Sequence, residues 1–553
     1  MTMHESLIAM GIDRWLLPAL VLWPLIGAAI VLVMGRGKRP LPTDAALPSD
    51  SLGSGGPDAR ALTLAVLVVE AVLGIAAWLA FDANAAGWQL RTDLTWLPDL
   101  GARLSLGVDG LSLPMLVLTT CLMPLALLAT WDQVTTRVPS YGALLLALTS
   151  GLVGVFTALD LLLFYLAWEL MLIPMYFIIG IWGSAGRTRA ALKYVMLTMF
   201  GSLLMLAAIA ALYVMGGSES FHLDDLLRLS MGLDTQLWLF GAFFLAFAIK
   251  SALVPFHTWL PDAQFEAPVI GAVVLGLKVG TYALLRFAMP LFPAAVMHET
   301  VQRVVLILSV VAIVWGALVA MVQPDLRKVL SYSSISHLGF IMLGCFALTQ
   351  QSVEGAVMIM VNHGITTSAL FLLAGFLKER SGTDRLDAFG GLARVAPLFA
   401  VMLTLSMLST IGLPGTNGFI GEFLVLLGAY RSQPIFAIIA TSGVVFASVY
   451  ALRAVQRLLF SSLDTKSNGG MRDLRGRQLA VMGVFAIAML WLGFAPQPLL
   501  RRMEHASGAL VERVRGINSG YATPGYATPA PRASDAFTLA SPVLPGTIGA
   551  PLR

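Results

Sequence analysis

Six ionisable side chains of this sequence stand inside long apolar stretches. They are Glu169, Lys250, Lys278, His337, His363 and Glu422. A charge at the centre of a bilayer costs at least about 2.5–3.5 kcal/mol on insertion scales, so such residues are kept when they are paired, hydrated or used. Acids, lysines whose charge is disfavoured by burial, and histidines that titrate near neutrality can all take up and release protons. The set therefore predicts a proton relay.

The first acid and the first lysine each precede a proline. Glu169 lies in LLLFYLAWELMLIPMYFIIGIW, five residues before Pro174, and Lys250 lies five residues before Pro255. Proline removes a helix hydrogen bond, and broken helices at membrane depth are typical of transporters. We expect the two charges to face each other, because each is costly alone and tolerable when paired. A neutral packing acid and a lysine that snorkels to the interface remain open as alternatives.

The central part of the predicted relay contains Lys278, His337 and His363. Tyr282 and Arg286 follow Lys278 at steps of four, which predicts a single polar helix face. Four serines precede His337, and amide and hydroxyl side chains flank His363, so both histidines have neighbours that can hold water. A purely structural hydrogen-bonding role stays open for all three. A metal site is not expected, because no cysteine or carboxylate has ligand spacing to either histidine.

Glu422 follows a break in its apolar stretch, LSTIGLPGTNGFIGEFLVLLGAY. Pro414 and Gly415 predict that the helix is interrupted there and restarts just before the acid. The exposed backbone of such a break lets water approach, which suits a terminal proton-binding group. The alternative is a carboxylate stabilised by the dipole of a helix start.

The composition requires a membrane setting for all of these residues. Hydrophobic residues make up 58% and charged residues 12% of the chain, and the mean hydropathy is +0.82. Soluble domains are about 25% charged, so a soluble enzyme, a disordered protein and a nucleic-acid binder are excluded. Cys121 and Cys345, the two cysteines, lie in apolar runs and cannot form a disulfide framework or an all-cysteine cluster. No phosphate-loop or dinucleotide fingerprint is present, so we expect no cofactor in this chain.

Apolar runs of about 20 residues predict an all-α polytopic membrane protein with about 14 transmembrane helices. Spans 7 and 12 are each broken beside a charge, five helices apart, which suggests two inverted five-helix repeats, spans 4–8 and 9–13. Residues 86–112 predict a small outer β-hairpin, and residues 40–60 a flexible linker. The predicted divisions are 1–112 (first spans, linker and hairpin), 113–500 (proton-translocating unit) and 501–553 (disordered Pro/Ala-rich tail).

Basic residues in the loops predict the orientation. One set of loops holds 20 Lys and Arg residues, whereas the opposite set holds 7 before the C-terminal tail. The positive-inside rule places the richer side in the cytoplasm. An even number of spans then puts both termini on the periplasmic side of a bacterial inner membrane.

Five stretches resemble the antiporter-like membrane subunits of respiratory complex I, and among these the subunit M family. They are LLLFYLAWELMLIPMYFIIGIWG, AFAIKSALVPFHTWLPDAQFEAP, LRKVLSYSSISHLGFIMLG, VNHGITTSALFLLAG and LPGTNGFIGEFLVLLGAY. The resemblance covers roughly residues 60–500. Glu422 is the position that separates this family from subunits L and N, which look as if they carry lysine there.

The resemblance implies roles for the six residues. Glu169 and Lys250 form a coupled pair, Lys278 is the central relay, both histidines continue it and Glu422 is the exit acid. It also implies proton translocation driven by quinone reduction elsewhere, with FMN, iron–sulfur clusters and quinone in partner subunits, and with subunits L and N as neighbours in the bilayer. A cation/proton antiporter or membrane-bound hydrogenase subunit of the same fold, or a structural spacer that does not pump, remains open.

Overall fold

The computed structural model describes residues 11–36, 56–462 and 470–516. Thirteen helices in these ranges are long and apolar enough to cross a membrane. A further crossing is built from two shorter helices, Pro397–Thr410 and Asn417–Ser432, so the described part of the chain crosses the bundle fourteen times. The predicted all-helical membrane fold is confirmed.

The first six spans are single helices. In chain order they are Ile12–Arg36, Gly56–Ala80, Ser112–Ala129, Val138–Thr157, Leu161–Trp182 and Arg187–Met215. Span 7 consists of Leu233–Lys250 and Trp259–Glu266, and span 8 runs over Val269–Leu291. The remaining spans are Glu299–Val322, Leu326–Ala347, Gln350–Ser381, the two-part span 12, Pro434–Phe460 and Gly476–Phe494.

The predicted β-hairpin is present. Strands β1 (Gln89–Leu97) and β2 (Ala102–Val108) pair antiparallel around a short turn that ends at Gly101, whose φ of +62° suits glycine. The Thr92 hydroxyl donates to the carbonyl oxygen of Arg14 at 2.8 Å, which fixes β1 to the start of span 1. We call the end of the bundle that carries residues 89–108 the hairpin face.

Spans 7 and 12 are broken where the sequence predicts. In span 7 the Trp259 indole N–H donates to the carbonyl oxygen of Ile249 at 2.8 Å, which ties the second half-helix to the end of the first. In span 12 the chain turns between Thr410 and Asn417 through Gly412 and Gly415, both at positive φ. The non-helical backbone at the breaks of spans 7 and 12 therefore lies beside Lys250 and Glu422.

Span 8 has a third break that the sequence did not predict. Its helix stops at Leu275, restarts at Val279 and widens into a π-helical segment, Leu284–Ala288. Lys278 lies in this break, with φ −90° and ψ 52°. Span 13 also ends in a π-helical segment, Gln456–Phe460, a feature shared by the last members of the two predicted repeats. The inverted repeat itself stays a prediction.

The predicted disordered tail from residue 501 is wrong for residues 501–515. A C-terminal helix, Gln497–Arg515, lies on the hairpin face and buries Met503, Leu510 and Val514. The Arg513 side chain donates to the carbonyl oxygen of Pro290 in span 8 at 2.8 Å, and Ser507 donates to Glu354 in span 11 at 3.0 Å. Apolar residues at helical spacing give this segment a face to bury.

Two predicted segments lie largely outside the described residues. Residues 517–553 of the predicted tail are not described, nor are residues 40–55 of the predicted linker. The last part of that linker, residues 56–60, belongs to span 2.

Candidate functional site

Three of the predicted residues meet in one buried cluster. His337 Nδ1 of span 10 lies 3.1 Å from Glu422 Oε1 of span 12. The rings of His337 and His363, from spans 10 and 11, have centroids 5.3 Å apart. All three side chains line a cavity of about 20 Å³. A water molecule needs about 10–15 Å³ measured in this way, so the cavity has room for one beside two histidines and an acid.

The break in span 12 is held against span 11 by polar side chains. The Asn362 amide donates to the carbonyl oxygen of Asn417 at 2.6 Å, and the Asn417 amide donates back to that of Asn362 at 3.3 Å. Thr366 and Ser409 are hydrogen-bonded at 2.9 Å. These side-chain bonds tie both sides of the break in span 12 to span 11.

The flanking hydroxyls and amides are therefore used differently from our prediction. Asn362 and Thr366 bind span 12, and only Thr367, at 3.0 Å, bonds to His363. Three of the four serines before His337 donate to carbonyls of their own helix, and the Ser336 hydroxyl donates to the carbonyl oxygen of Ile313 at 2.8 Å. Hydrogen bonds from serine hydroxyls to carbonyls of their own helix are common. Because these hydroxyls are already bonded to the protein, the cavity is the place where water can be held.

Gly412 sets the distance between the break and Glu422. Its φ is +71°, and a Cβ built on it would lie 2.8 Å from Glu422 Oε2. Only glycine adopts this conformation without strain and also leaves room for the carboxylate. Glu422 is the sixth residue of its half-helix, which starts at Asn417, so it lies more than one turn past the helix start.

Lys278 lies next to this cluster, in the break of span 8. It is 4% exposed, and no hydrogen bond or ion pair joins its ammonium group to any residue in the described ranges. A Cβ built on Gly276, two residues before Lys278, would lie 3.7 Å from the Cγ2 of Thr367, one helical turn after His363. A buried lysine without a fixed partner is well suited to exchanging a proton, because burial disfavours its charged form.

The breaks of spans 7 and 8 touch each other. A Cβ built on Gly280, two residues after Lys278, would lie 2.8 Å from the carbonyl oxygen of Phe247 and would overlap the hydroxyl of Ser251. Ser251 directly follows Lys250 in the chain. The absence of a side chain at Gly280 thus lets the backbone that carries Lys278 approach the backbone that carries Lys250.

No ion pair joins Glu169 and Lys250 in the described chain. The Lys250 ammonium instead donates to the Tyr194 hydroxyl of span 6 at 3.1 Å and lies 5.5 Å from the centroid of the Trp168 ring. Trp168 is the residue before Glu169, whose Oε1 is buried without a hydrogen-bond partner among the described residues. The Lys250 ammonium therefore contacts the residue next to Glu169, and coupling of the two charges stays a prediction.

Tyr282 and Arg286, which we predicted to share a polar helix face with Lys278, have polar partners of their own. Both lie on the hairpin face, where Arg286 forms a buried bidentate ion pair with Asp109, one contact of which is 2.9 Å. The Arg286 Nε donates to the Tyr282 hydroxyl at 3.1 Å. A single polar face shared with Lys278 stays a prediction.

Asp109 itself is a strongly held carboxylate outside the spans. Burial alone would raise its pKa, but the Arg286 guanidinium and the backbone N–H groups of Ser112 and Leu111 more than offset this, so the pKa lies below its ordinary value. The ionised pair ties the loop before span 3 to the π-helical segment of span 8.

A crevice of about 560 Å³ opens on the face opposite the hairpin. Its lining combines charges of both signs, including Arg187, Glu266, Arg327 and Lys378. Val269, at the start of span 8, is also part of the lining. Water can therefore reach the bundle at the end of span 8 that leads toward Lys278.

Comparison with known proteins places this geometry in a family. A model described as NADH:quinone oxidoreductase/Mrp antiporter, TM, matches residues 158–448, a range that contains all six residues of the predicted relay. NADH-quinone oxidoreductase subunit M of Rhodobacter capsulatus is 40% identical over 87% of this chain and 93% of that protein. The chain belongs to the NADH-quinone oxidoreductase subunit M family.

Further relatives agree with this assignment. NADH-ubiquinone oxidoreductase chain 4 of Chondrus crispus is 35% identical over 89% of this chain and 97% of that protein. A chain of respiratory complex I from Thermus thermophilus with bound NADH superposes with a TM-score of 0.80 at 32% identity, covering 90% of this chain and 99% of that one. The subunit M family resemblance predicted from the sequence is confirmed.

Our sequence reasoning missed three buried polar residues, of which Tyr194 contacts a residue of the predicted relay. Glu70, in span 2, is completely buried, and neither carboxylate oxygen has a hydrogen-bond partner in the described ranges. The sequence feature that could have revealed it is a lone acid in the apolar run AVLVVEAVLG. Tyr194 and Asp109 had no comparable signal, because each becomes relevant only through a partner far away in the chain. Among the described residues no group of three or more His, Cys, Asp or Glu side chains could hold a metal ion.

Proposed function

We propose that this chain translocates protons as a membrane-arm subunit of NADH:quinone oxidoreductase, through Glu169, Lys250, Lys278, His337, His363 and Glu422. The observation that carries the proposal is the cavity shared by His337, His363 and Glu422. It joins two histidines and an acid to a water-sized space inside an apolar bundle. Proton transfer needs groups that exchange protons within hydrogen-bond reach or through one water molecule.

The proposed path follows the broken helices. Water in the crevice opposite the hairpin supplies the entry side, and Lys250 and Lys278 occupy adjoining breaks of spans 7 and 8. Lys278 passes the proton through His363 and His337 to Glu422, which releases it to the other side. Glu169, close to Lys250, sets by its charge whether Lys250 holds its proton, because a nearby carboxylate favours the ammonium form.

The driving energy comes from other subunits. The proposed relay contains no redox group, and the six residues can only bind and release protons. Quinone reduction, with FMN and iron–sulfur clusters in partner subunits, alters the charge balance along the relay. The neighbouring antiporter-like subunits L and N continue the same membrane arm.

The proposed location is the bacterial inner membrane, with both termini on the periplasmic side. The first and last described helices both reach the hairpin face, where Arg14 binds β1 and the C-terminal helix packs on Gly110. The hairpin face is then periplasmic, and the face rich in Lys and Arg is cytoplasmic.

The test compares two buried glutamates. Glu169→Gln removes the proposed relay acid, whereas Glu70→Gln makes the same change in an acid outside the relay. Membrane vesicles are energised with NADH, proton uptake is followed by quenching of a pH-sensitive dye, and assembly is checked on native gels. We expect Glu169→Gln to assemble but to lose pumping and coupled quinone reductase activity.

The control should pump at the level of the unchanged chain. Normal pumping in assembled Glu169→Gln complexes would remove Glu169 from the relay. Equal loss in both variants would show that any buried glutamate in this bundle is needed for structure rather than for transfer.

A further inference from the structure

An apolar groove of about 330 Å³ lies between spans 2, 3, 11 and 14, beneath the start of the C-terminal helix. Its lining is aliphatic and aromatic apart from the thiol of Cys121. Ile75 and Trp491, on opposite walls, are 46% and 52% exposed, so the groove opens sideways from the bundle. The six relay residues do not line it.

The depth of the groove matches one leaflet of a bilayer. Along span 3 its lining runs from Pro114 at the hairpin face to Leu125, which is about 16 Å at 1.5 Å per residue. Half of the hydrocarbon core of a bilayer is about 15 Å. An extended acyl chain entering from the hairpin side therefore fits the groove in length, polarity and direction.

A positively charged side chain lies at the end of the groove where the headgroup of such a lipid would be. The Arg502 guanidinium stacks over the ring of Trp78, which lines the groove, at 4.0 Å from the ring centroid. Its Nη1 donates to the carbonyl oxygen of Pro498 at 2.8 Å. The buried Nε has no acceptor in the part of the chain that the structure describes, and no carboxylate there forms an ion pair with Arg502.

We propose that this groove binds an anionic phospholipid, with one acyl chain between spans 3 and 14 and the phosphate at Arg502. A planar guanidinium with unused N–H groups matches phosphate oxygens. Stacking on Trp78 fixes the guanidinium at the rim, so the headgroup finds a preformed cation. The lipid would fill the groove and hold the C-terminal helix against spans 2 and 14.

The test uses a photoactivatable lipid on the purified, delipidated complex. Phosphatidylglycerol with a diazirine midway along one acyl chain is added and illuminated, and the crosslinked peptides are identified by mass spectrometry. We expect crosslinks in residues 117–125 and 484–492. Unlabelled phosphatidylglycerol should displace the probe at about one tenth of the concentration needed for phosphatidylcholine of the same acyl composition, because a charge-assisted contact is worth about a factor of ten.

Two matched variants locate the headgroup. Arg502→Gln should abolish the preference for phosphatidylglycerol, whereas Arg501→Gln, which changes the adjacent exposed arginine, should keep it. Equal displacement by both lipids in the unchanged chain would overturn the anionic site. Crosslinks elsewhere on the chain but none in the groove would show that another subunit covers it. The lipid comparison in the unchanged chain decides the proposal even if a variant fails to assemble.

Discussion

His337 Nδ1 lies 3.1 Å from Glu422 Oε1, so the acid of span 12 and the histidine of span 10 are within direct hydrogen-bonding distance. A proton shared between them moves without crossing apolar space. His337, Glu422 and His363 also line the same water-sized cavity. This contact makes Glu422 the residue at which the chemistry of the proposed relay can be tested most directly.

Two replacements of Glu422 should distinguish the effect of its acidic group from the effect of its side-chain shape. In Glu422→Gln we expect transfer through this step to slow by about 100-fold or more, as for loss of a positioned acid–base group, and pumping to fall sharply. Glu422→Asp keeps the acid with a shorter reach and should retain part of the activity. Dye quenching in energised vesicles measures both. Normal pumping in both variants would show that Glu422 has only a structural role.

Lys278→Arg should fail although the charge is kept. Arginine stays protonated up to about pH 12, so it cannot release a proton in a relay. We expect an assembled complex, seen on native gels, with strongly reduced pumping and NADH-driven quinone reduction. Full activity would assign Lys278 a structural cationic role.

Gly280→Ala tests the contact between the breaks of spans 7 and 8. The added methyl group would lie 2.8 Å from the carbonyl oxygen of Phe247, and overpacking of this kind costs about 1–3 kcal/mol. We expect a lower unfolding temperature and weaker pumping. Gly241→Ala, in span 7 with open space around it, is the control and should leave both unchanged. Identical behaviour of the two variants would refute a role for the close approach.

Asp109→Asn should destabilise the hairpin face. It leaves the buried Arg286 cation without its partner, and breaking one side of a buried pair costs about 3–5 kcal/mol. Asp93→Asn, which removes a solvent-exposed partner of Arg91, should cost about 0–1 kcal/mol. Thermal unfolding of the purified complex compares the two, and the double variant Asp109→Asn with Arg286→Met should recover stability. Equal unfolding temperatures for the two single variants would contradict a structural role of the buried pair.

Truncation should distinguish the C-terminal helix from the residues that follow it. A chain ending at Gly516 should assemble and pump normally, because residues 517–553 are rich in Pro, Ala and Gly and poor in large apolar side chains. A chain ending at Phe494 should assemble poorly, since it also loses the buried Met503, Leu510 and Val514. Native gels report assembly. Failure of the longer chain would place a docking segment beyond residue 516.

Sequence patterns predict well those features that depend on neighbouring residues. Apolar runs located the spans, and prolines and glycines located the breaks beside Lys250 and Glu422, because hydropathy and helix interruption are local properties. The break at Lys278 was missed, since Gly276 is its only breaker and a single glycine is often tolerated inside a helix.

Features that depend on distant partners could not be read from the sequence. Asp109 and Arg286 are 177 residues apart, and Tyr194 becomes relevant only because Lys250 turns toward it. The prediction of disorder from residue 501 followed the Pro/Ala-rich composition of the far end of the chain. The amphipathic spacing of the preceding segment, from Leu499 to Val514, was the signal against it.

The C-terminal helix also sets an order for biosynthesis. It follows all fourteen spans in the chain, so the ribosome makes it after every one of them has been delivered to the membrane. Its Arg513 contact with Pro290 and its Arg515 contact with Ala347 can therefore form only after spans 8 and 10 are inserted. Docking of this helix is therefore a late event, for which spans 8 and 10 must already be in place.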